Sequence, residues 1–209
     1  MPAMTAKKTT ARAGQALLDA DAAVVDTVEP YRHSPPVEAL AWYSELGDQP
    51  QMLSLSGAVL AAGLFRRDAR MARAGGRMIA AHLLATAAKN FVKHRIDRTR
   101  PRSAVVARGG HKPTTGRNRA KEETSFPSGH SAGAIAVARA FSREYPEHQG
   151  AALAAAGLIA LAQIPRCAHY PTDVGAGIAL GLAAESAVDR LWRAADGSTA
   201  SSKAASRPA

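Results

Sequence analysis

Residues Ser125 to Gly133 read SFPSGHSAG. The stretch joins two unlike neighbours: a segment crowded with arginine precedes it and a long alanine-rich apolar run follows. Ser128-Gly129 is a plausible helix start with the serine as N-cap. The run beyond it has helix-forming composition, because alanine and leucine lose little on entering a helix. The same junction also has a chemical reading. A helix start offers free backbone N–H groups to an anion, and His130 beside it offers a proton.

Outward from this junction the pattern stays helical. Alanine dominates the apolar residues, aromatics make up 5% of the chain, and there is little alternating β-branched sequence. The expected fold is therefore all-α, a bundle of about six to seven helices, with segments near 14–29, 36–46, 51–66, 70–94, 129–144, 150–164 and 172–193. Residues 1–12 are expected as a disordered leader and 196–209 as a disordered tail, leaving 13–195 as a single domain. Cys167 is the one cysteine, so no intramolecular disulfide forms. Residues 1–16 lack the apolar core of a secretory signal.

The uncharged runs reach about 14 to 16 residues, short of the roughly 20 that a membrane span wants. Gly177 and Gly181 form a GxxxG pair, which suits close helix packing in lipid. The expectation is a membrane-embedded bundle with its active site at one end. Asp19, Asp21 and Asp26 would be costly at bilayer depth.

The net charge of +10 is unevenly spread. Lys93, Arg95, Arg98, Arg100, Arg102, Arg108, Lys112, Arg117, Arg119 and Lys121 face only Asp97 in the same stretch. One region is built for anions. It has no aromatic residues interleaved for base stacking, so nucleic acid is not the expected partner.

Three pieces carry chemistry: Lys93 with Arg100-Pro101, Ser128-Gly129-His130, and His169 with Asp173. Singly, each has an ordinary explanation as a solvated charge, a helix cap or a first-turn carboxylate. Together they supply what dephosphorylation needs. Lys93 and Arg100 neutralise phosphate oxygens, and arginine grips two at once. Ser128 and Gly129 present the backbone cradle. His169 is a neutral imidazole nucleophile, Asp173 orients it and stabilises the cation it becomes, and His130 protonates the leaving oxygen.

The Lys-x6-Arg-Pro, Pro-Ser-Gly-His and His-x3-Asp set resembles the three signature motifs of the phosphatidic acid phosphatase type 2 superfamily, which includes acid phosphatases, lipid phosphatases and vanadium haloperoxidases. The resemblance implies a helical bundle and dephosphorylation through a phosphohistidine, with no metal or other cofactor. It assigns His169 as nucleophile, Asp173 as its partner and His130 as general acid. Lys93, Arg100, Ser128 and Gly129 would bind phosphate.

One position departs from the pattern. The third motif usually carries an arginine at position 163, and here Gln163 stands there. Arg166, three residues on, is the candidate to replace its charge. The expected substrate is a phosphorylated lipid, a polyprenyl diphosphate or a small phosphate ester. The alternatives are a soluble non-specific acid phosphatase and a catalytically weakened protein that binds anions or nucleic acid. The resemblance favours the bacterial inner membrane. The segment 66–77, with five arginines against Asp68, would lie on the cytoplasmic side and place the site toward the periplasm. Sequence leaves the oligomeric state open.

Overall fold

The computed structural model describes residues 2–103, 113–116 and 120–205. Among them are seven helices of ten or more residues: α1 (Pro2–Val28), α2 (Pro35–Ser44), α3 (Gln49–Phe65), α4 (Ala69–Lys93), α5 (Gly129–Glu144), α6 (Gln149–Leu161) and α7 (Pro171–Ala205). Most starts are written locally. Proline opens α2, α3 and α7, where its missing N–H costs nothing. Asp68 caps α4 by accepting from the amides of Arg70 and Met71. Ser128 caps α5 by accepting from the Ser131 amide.

The all-α bundle expected from sequence is the one observed, and β1 (Ile96–Asp97) and β2 (Thr114–Thr115) add a two-stranded antiparallel ladder of two residues each, with Ile96 opposite Thr115. Helix α1 begins at Pro2 and α7 runs to Ala205. Extending an existing helix adds a hydrogen bond per residue without a new nucleus, and a single interior glycine such as Gly197 costs only about 1 kcal/mol. Arg108, Lys112, Arg117 and Arg119 of the basic stretch lie outside the described residues.

Helix α5 is the centre of the bundle. Residues 131–138 are buried without a break, and α5 packs against α4, α6 and α7, while α4 also packs against α3 and α7. The alanine-rich composition now has a purpose, since small residues let helix backbones approach closely. At the α5–α7 contact, a Cβ on Gly177 would come 2.5 Å from the Ser128 carbonyl oxygen, and one on Gly181 would come 2.5 Å from that of Ala132. This pair holds the start of α7 against the start of α5. The chain direction alternates, so the start of α3, the end of α4, the start of α5, the end of α6 and the start of α7 meet at one end.

The opposite end is tied by ion pairs. Arg77 meets Glu144 at 3.0 Å and Asp189 at 2.8 Å, and Glu185 takes Arg143 at 2.7 Å. Among the described residues no helix is long and apolar enough to cross a membrane. On α4 the uncharged band between Arg77 and Lys89 is about 18 Å tall at 1.5 Å per residue, against a hydrocarbon core of about 30 Å.

Candidate active site

The helix ends enclose a cavity of about 240 Å³. Six of the residues singled out by sequence line it: Lys93, Arg100, Gly129, His130, Arg166 and His169. Ser128 and Asp173 are fully buried behind it. Each arrives by a local rule. Lys93 ends α4, Gly129 and His130 open α5, and Asp173 lies in the first turn of α7.

His169 is 1% exposed. Its Nε2 lies 3.4 Å from Arg100 Nη1, and its Nδ1 lies 3.7 Å from Asp173 Oδ2. The second distance is longer than a hydrogen bond but close enough for strong attraction once the ring is charged. Burial, reinforced by the Arg100 and Lys93 charges, brings the His169 pKa down to about 4 against the pull of Asp173. The ring is therefore neutral at physiological pH, the form in which an imidazole is nucleophilic.

Asp173 is held from three sides. Oδ1 accepts from Arg98 Nη1 at 2.5 Å; Oδ2 accepts from the Tyr170 amide at 3.0 Å and from the Ser125 hydroxyl. Burial opposes its charge, yet the facing His169 ring, the Arg98 charge and the Ser125 hydroxyl keep its pKa below the ordinary carboxylate value. Arg98 is in turn gripped by Asp21 of α1, with Nη2 at 2.7 Å from Oδ2, and lies 4.0 Å from the centre of the Tyr170 ring. Asp21 also accepts from the Thr172 amide at 3.0 Å and from its hydroxyl. Arg98 and Asp21 are each 2% exposed. The aspartate that looked expensive on α1 is thus a buried counter-ion, and α1 is joined to the back of the site.

The cations on the cavity side carry the marks of crowding. Lys93 donates to the Thr124 carbonyl at 2.7 Å; burial and the neighbouring Arg100 and Lys89 lower its pKa to about 7. Arg100 donates to the Ala168 carbonyl at 3.2 Å, and burial together with Arg102 lowers its pKa to about 10. His130 Nε2 lies 2.8 Å from Asp48 Oδ1. Burial, with the neighbouring His169 and Arg166 and against the pull of Glu45, brings the His130 pKa to about 4.

Gln163 and Arg166 both lie at the cavity, but only Arg166 brings a charge. Gln163 is fully buried on the cavity wall, and its Nε2 donates to the Ile159 carbonyl at 3.1 Å, so it brings no charge. Arg166 does line the cavity, anchored to Ser44 Oγ at 2.6 Å and Glu45 Oε1 at 2.7 Å. Glu45, Asp48 and His130 bring three donor atoms within 4.8 Å of one another, a set able to hold a cation. Here Arg166 supplies the positive charge beside Glu45.

Sequence reasoning missed Arg98, Asp21 and Ser125 behind the dyad, and Lys89, His82, Asp48 and Glu45 around the cavity. Lys89 had a signal: it precedes Lys93 by four residues and so shares its helix face. Asp21 had none, because its partner is 77 residues away.

A buried imidazole backed by a carboxylate, a helix start, and a ring of lysine and arginine define a phosphate-handling helical bundle. Residues 74–194 match the PAP2 superfamily, and the chain belongs to it. Among solved structures it is similar to the first transmembrane PAP2 type phosphatidylglycerolphosphate phosphatase from Bacillus subtilis. The two share 23% identity over 85% of this chain and 87% of that one, with a TM-score of 0.60. It is also similar to LpxE of Aquifex aeolicus, at 22% identity over 79% of this chain and 92% of that one, with a TM-score of 0.56. No curated protein sequence matches it. The chain is accordingly a phosphoric ester hydrolase.

Proposed function

We propose that the chain hydrolyses a phosphate monoester or diphosphate carried on a lipid or polyprenyl group, through a phosphohistidine on His169. The observation that carries this reading is the position of His169: buried, neutral, with Nε2 facing Arg100 and Nδ1 facing Asp173. Phosphate oxygens settle among Arg100, Lys93, Arg166 and the amides at the start of α5. Nε2 attacks phosphorus, the phosphorus–oxygen bond to the leaving group breaks, and His130 gives that oxygen its proton. The imidazolium formed is stabilised by Asp173. Water then attacks the phosphohistidine, His130 takes the proton from it, and phosphate leaves with His169 restored.

An arriving phosphate dianion raises the pKa of both histidines, since it favours their charged forms. Glu45 already favours protonated His130, and Asp48 Oδ1 lies 2.8 Å from its Nε2. Substrate binding therefore arms this cation-rich site.

The lipid class is supported by the apolar side chains exposed along α3 and α4, among them Leu55, Leu64, Phe65, Leu83, Leu84 and Phe91. The printed substrates of the two similar structures point the same way. We place the protein at the bacterial inner membrane with the site toward the periplasm, on those exposed side chains and on the arginine-rich turn at the end opposite the site. Alkaline carbonate extraction tests the depth of attachment.

The test of function is phosphate release by detergent-purified protein beside its His169→Ala variant. The panel runs from p-nitrophenyl phosphate through phosphatidic acid to a polyprenyl diphosphate. Release that is lost in the variant and highest on a lipid ester is the expected result. A folded wild type inert on every ester, or one preferring only soluble esters, overturns the reading.

A further inference from the structure

The cavity continues past the catalytic histidines along α4. His82, Thr86, Lys89 and Lys93 follow one another at spacings of four, three and four, which puts them on one helix face. All four line the cavity. Lys93 belongs to the phosphate cradle. The other three have no part in the reaction described above.

His82 is 2% exposed; the Gly133 backbone interacts with its ring, but neither ring nitrogen makes a hydrogen bond of good geometry among the described residues. Buried polar atoms are nearly always paired, and a histidine left unpaired on a cavity wall is a group waiting for a ligand. Burial and the nearby Lys89 lower its pKa, so it is neutral, with one nitrogen to donate and one to accept. Burial also lowers the Lys89 pKa, opposed by Asp48. An anion beside Lys89 would favour its charged form.

Helix α5 makes room for both side chains. A Cβ on Gly129 would come 3.1 Å from Lys89 Cδ, and one on Gly133 would come 2.9 Å from His82 Cε1. Two glycines one turn apart on α5 thus seat a lysine and a histidine from α4. Gly129 is also the residue next to His130, so Lys89 lies on the general-acid side of the cavity, where the leaving group departs.

Charge decides what this subsite takes. Lys89, Lys93, Arg100, Arg102 and Arg166 line the cavity against Glu45 and Asp48, leaving three positive charges in excess. A phosphate monoester brings up to about two negative charges, and a diphosphate monoester roughly one more. We propose that the His82–Thr86–Lys89 face is a second phosphate subsite, which holds the inner phosphate of a diphosphate ester while the terminal phosphate lies against His169. This deepens the phosphatase reading and rests on it. Attack on the terminal phosphorus breaks its bond to the bridging oxygen. That oxygen takes the His130 proton, and the departing phosphate monoester stays beside Lys89.

The test compares inorganic orthophosphate with inorganic diphosphate, each titrated calorimetrically into wild type and Lys89→Gln; binding needs no turnover. Diphosphate binds the wild type at least about tenfold more tightly, and Lys89→Gln erases about tenfold of that while changing orthophosphate affinity by less than about threefold. Equal wild-type affinity for the two ions overturns the subsite. So does a variant that weakens both equally. Should the variant not fold, the wild-type comparison decides alone. Geranyl diphosphate is the second arm: faster phosphate release from it than from inorganic diphosphate identifies an esterified ligand, and the reverse overturns the ester while leaving the diphosphate. Loss of p-nitrophenyl phosphate hydrolysis in His169→Ala tests the underlying phosphatase reading separately.

Discussion

Replacing Asp21 by asparagine separates the role of α1 in catalysis from its role in the fold. The carboxylate is 2% exposed and shares Arg98 with Asp173. Without its charge, Arg98 keeps the Thr172 hydroxyl at 2.8 Å and pulls harder on Asp173, drawing that carboxylate away from His169. At an effective dielectric of about 20, charges 3.7 Å apart attract by about 4.5 kcal/mol. A retreat of about 1 Å forfeits about 1 kcal/mol of that, or roughly fivefold in kcat. The pH profile adds a signature that loss of structure alone does not produce. Removing a negative charge leaves the Arg98 field less balanced at His169, so the His169 pKa, about 4 in the native protein, falls further. The acid limb of the kcat/KM profile then moves to lower pH. Asp21→Ala also leaves a buried cation half-compensated, costing about 3 kcal/mol and roughly 6–12 °C in Tm. The assay is p-nitrophenyl phosphate hydrolysis from pH 3 to 8, with circular dichroism to confirm folding. A folded Asp21→Asn protein with native kcat and an unmoved acid limb would refute the coupling.

Three further outcomes follow from the same geometry. Asp48→Asn removes the carboxylate that favours protonated His130, so the basic limb of kcat/KM shifts about one unit toward lower pH; an unmoved limb argues that another group holds that proton. Lys93 has a pKa of about 7, and bound phosphate raises it. Phosphate affinity therefore declines above about pH 7, approaching tenfold per unit, and Lys93→Met abolishes that dependence in calorimetric titrations. Arg166→Gln leaves neither position 163 nor position 166 charged, and kcat/KM falls by about 10- to 150-fold. A change under threefold would mean that Arg166 serves only to hold Glu45.

Much of this architecture was legible in the sequence because it is written locally. Prolines, caps and alanine-rich runs mark the helices, and the expected starts fall within a residue or two of the observed ones from α2 to α7. The site motifs were legible for a related reason. Each is carried within a few residues at a helix end, so spacing alone describes its geometry. What sequence hid was everything assembled across elements. Asp21 meets Arg98 only because α1 lies against the start of α7, and a charge on an amphipathic helix gives no sign of a buried partner. Asp48 meets His130 only because the turn before α3 packs on α5. The hairpin of β1 and β2, two residues a strand, is too short for any alternation to show.

The lowered pKa values at the site share one origin, and it bears on how the reaction starts. Burial and mutual repulsion depress Lys93, Arg100, His130 and His169 together, because the cations lining the cavity outnumber its carboxylates. Proteins more often neutralise such groups with one another. Here the compensation is one-sided. Asp173, the carboxylate that could neutralise the cradle, is turned to the rear and occupied by Arg98, Ser125 and the Tyr170 amide, and Asp21 in turn occupies Arg98. The buried ion pairs thus keep a negative charge close enough to steady His169 while denying it to Lys93 and Arg100. The counter-ion left for the front of the cavity is the substrate. On the proposed mechanism, phosphate binding would favour charged Lys93 and protonated His130 together, so protonation for catalysis would be coupled to occupancy.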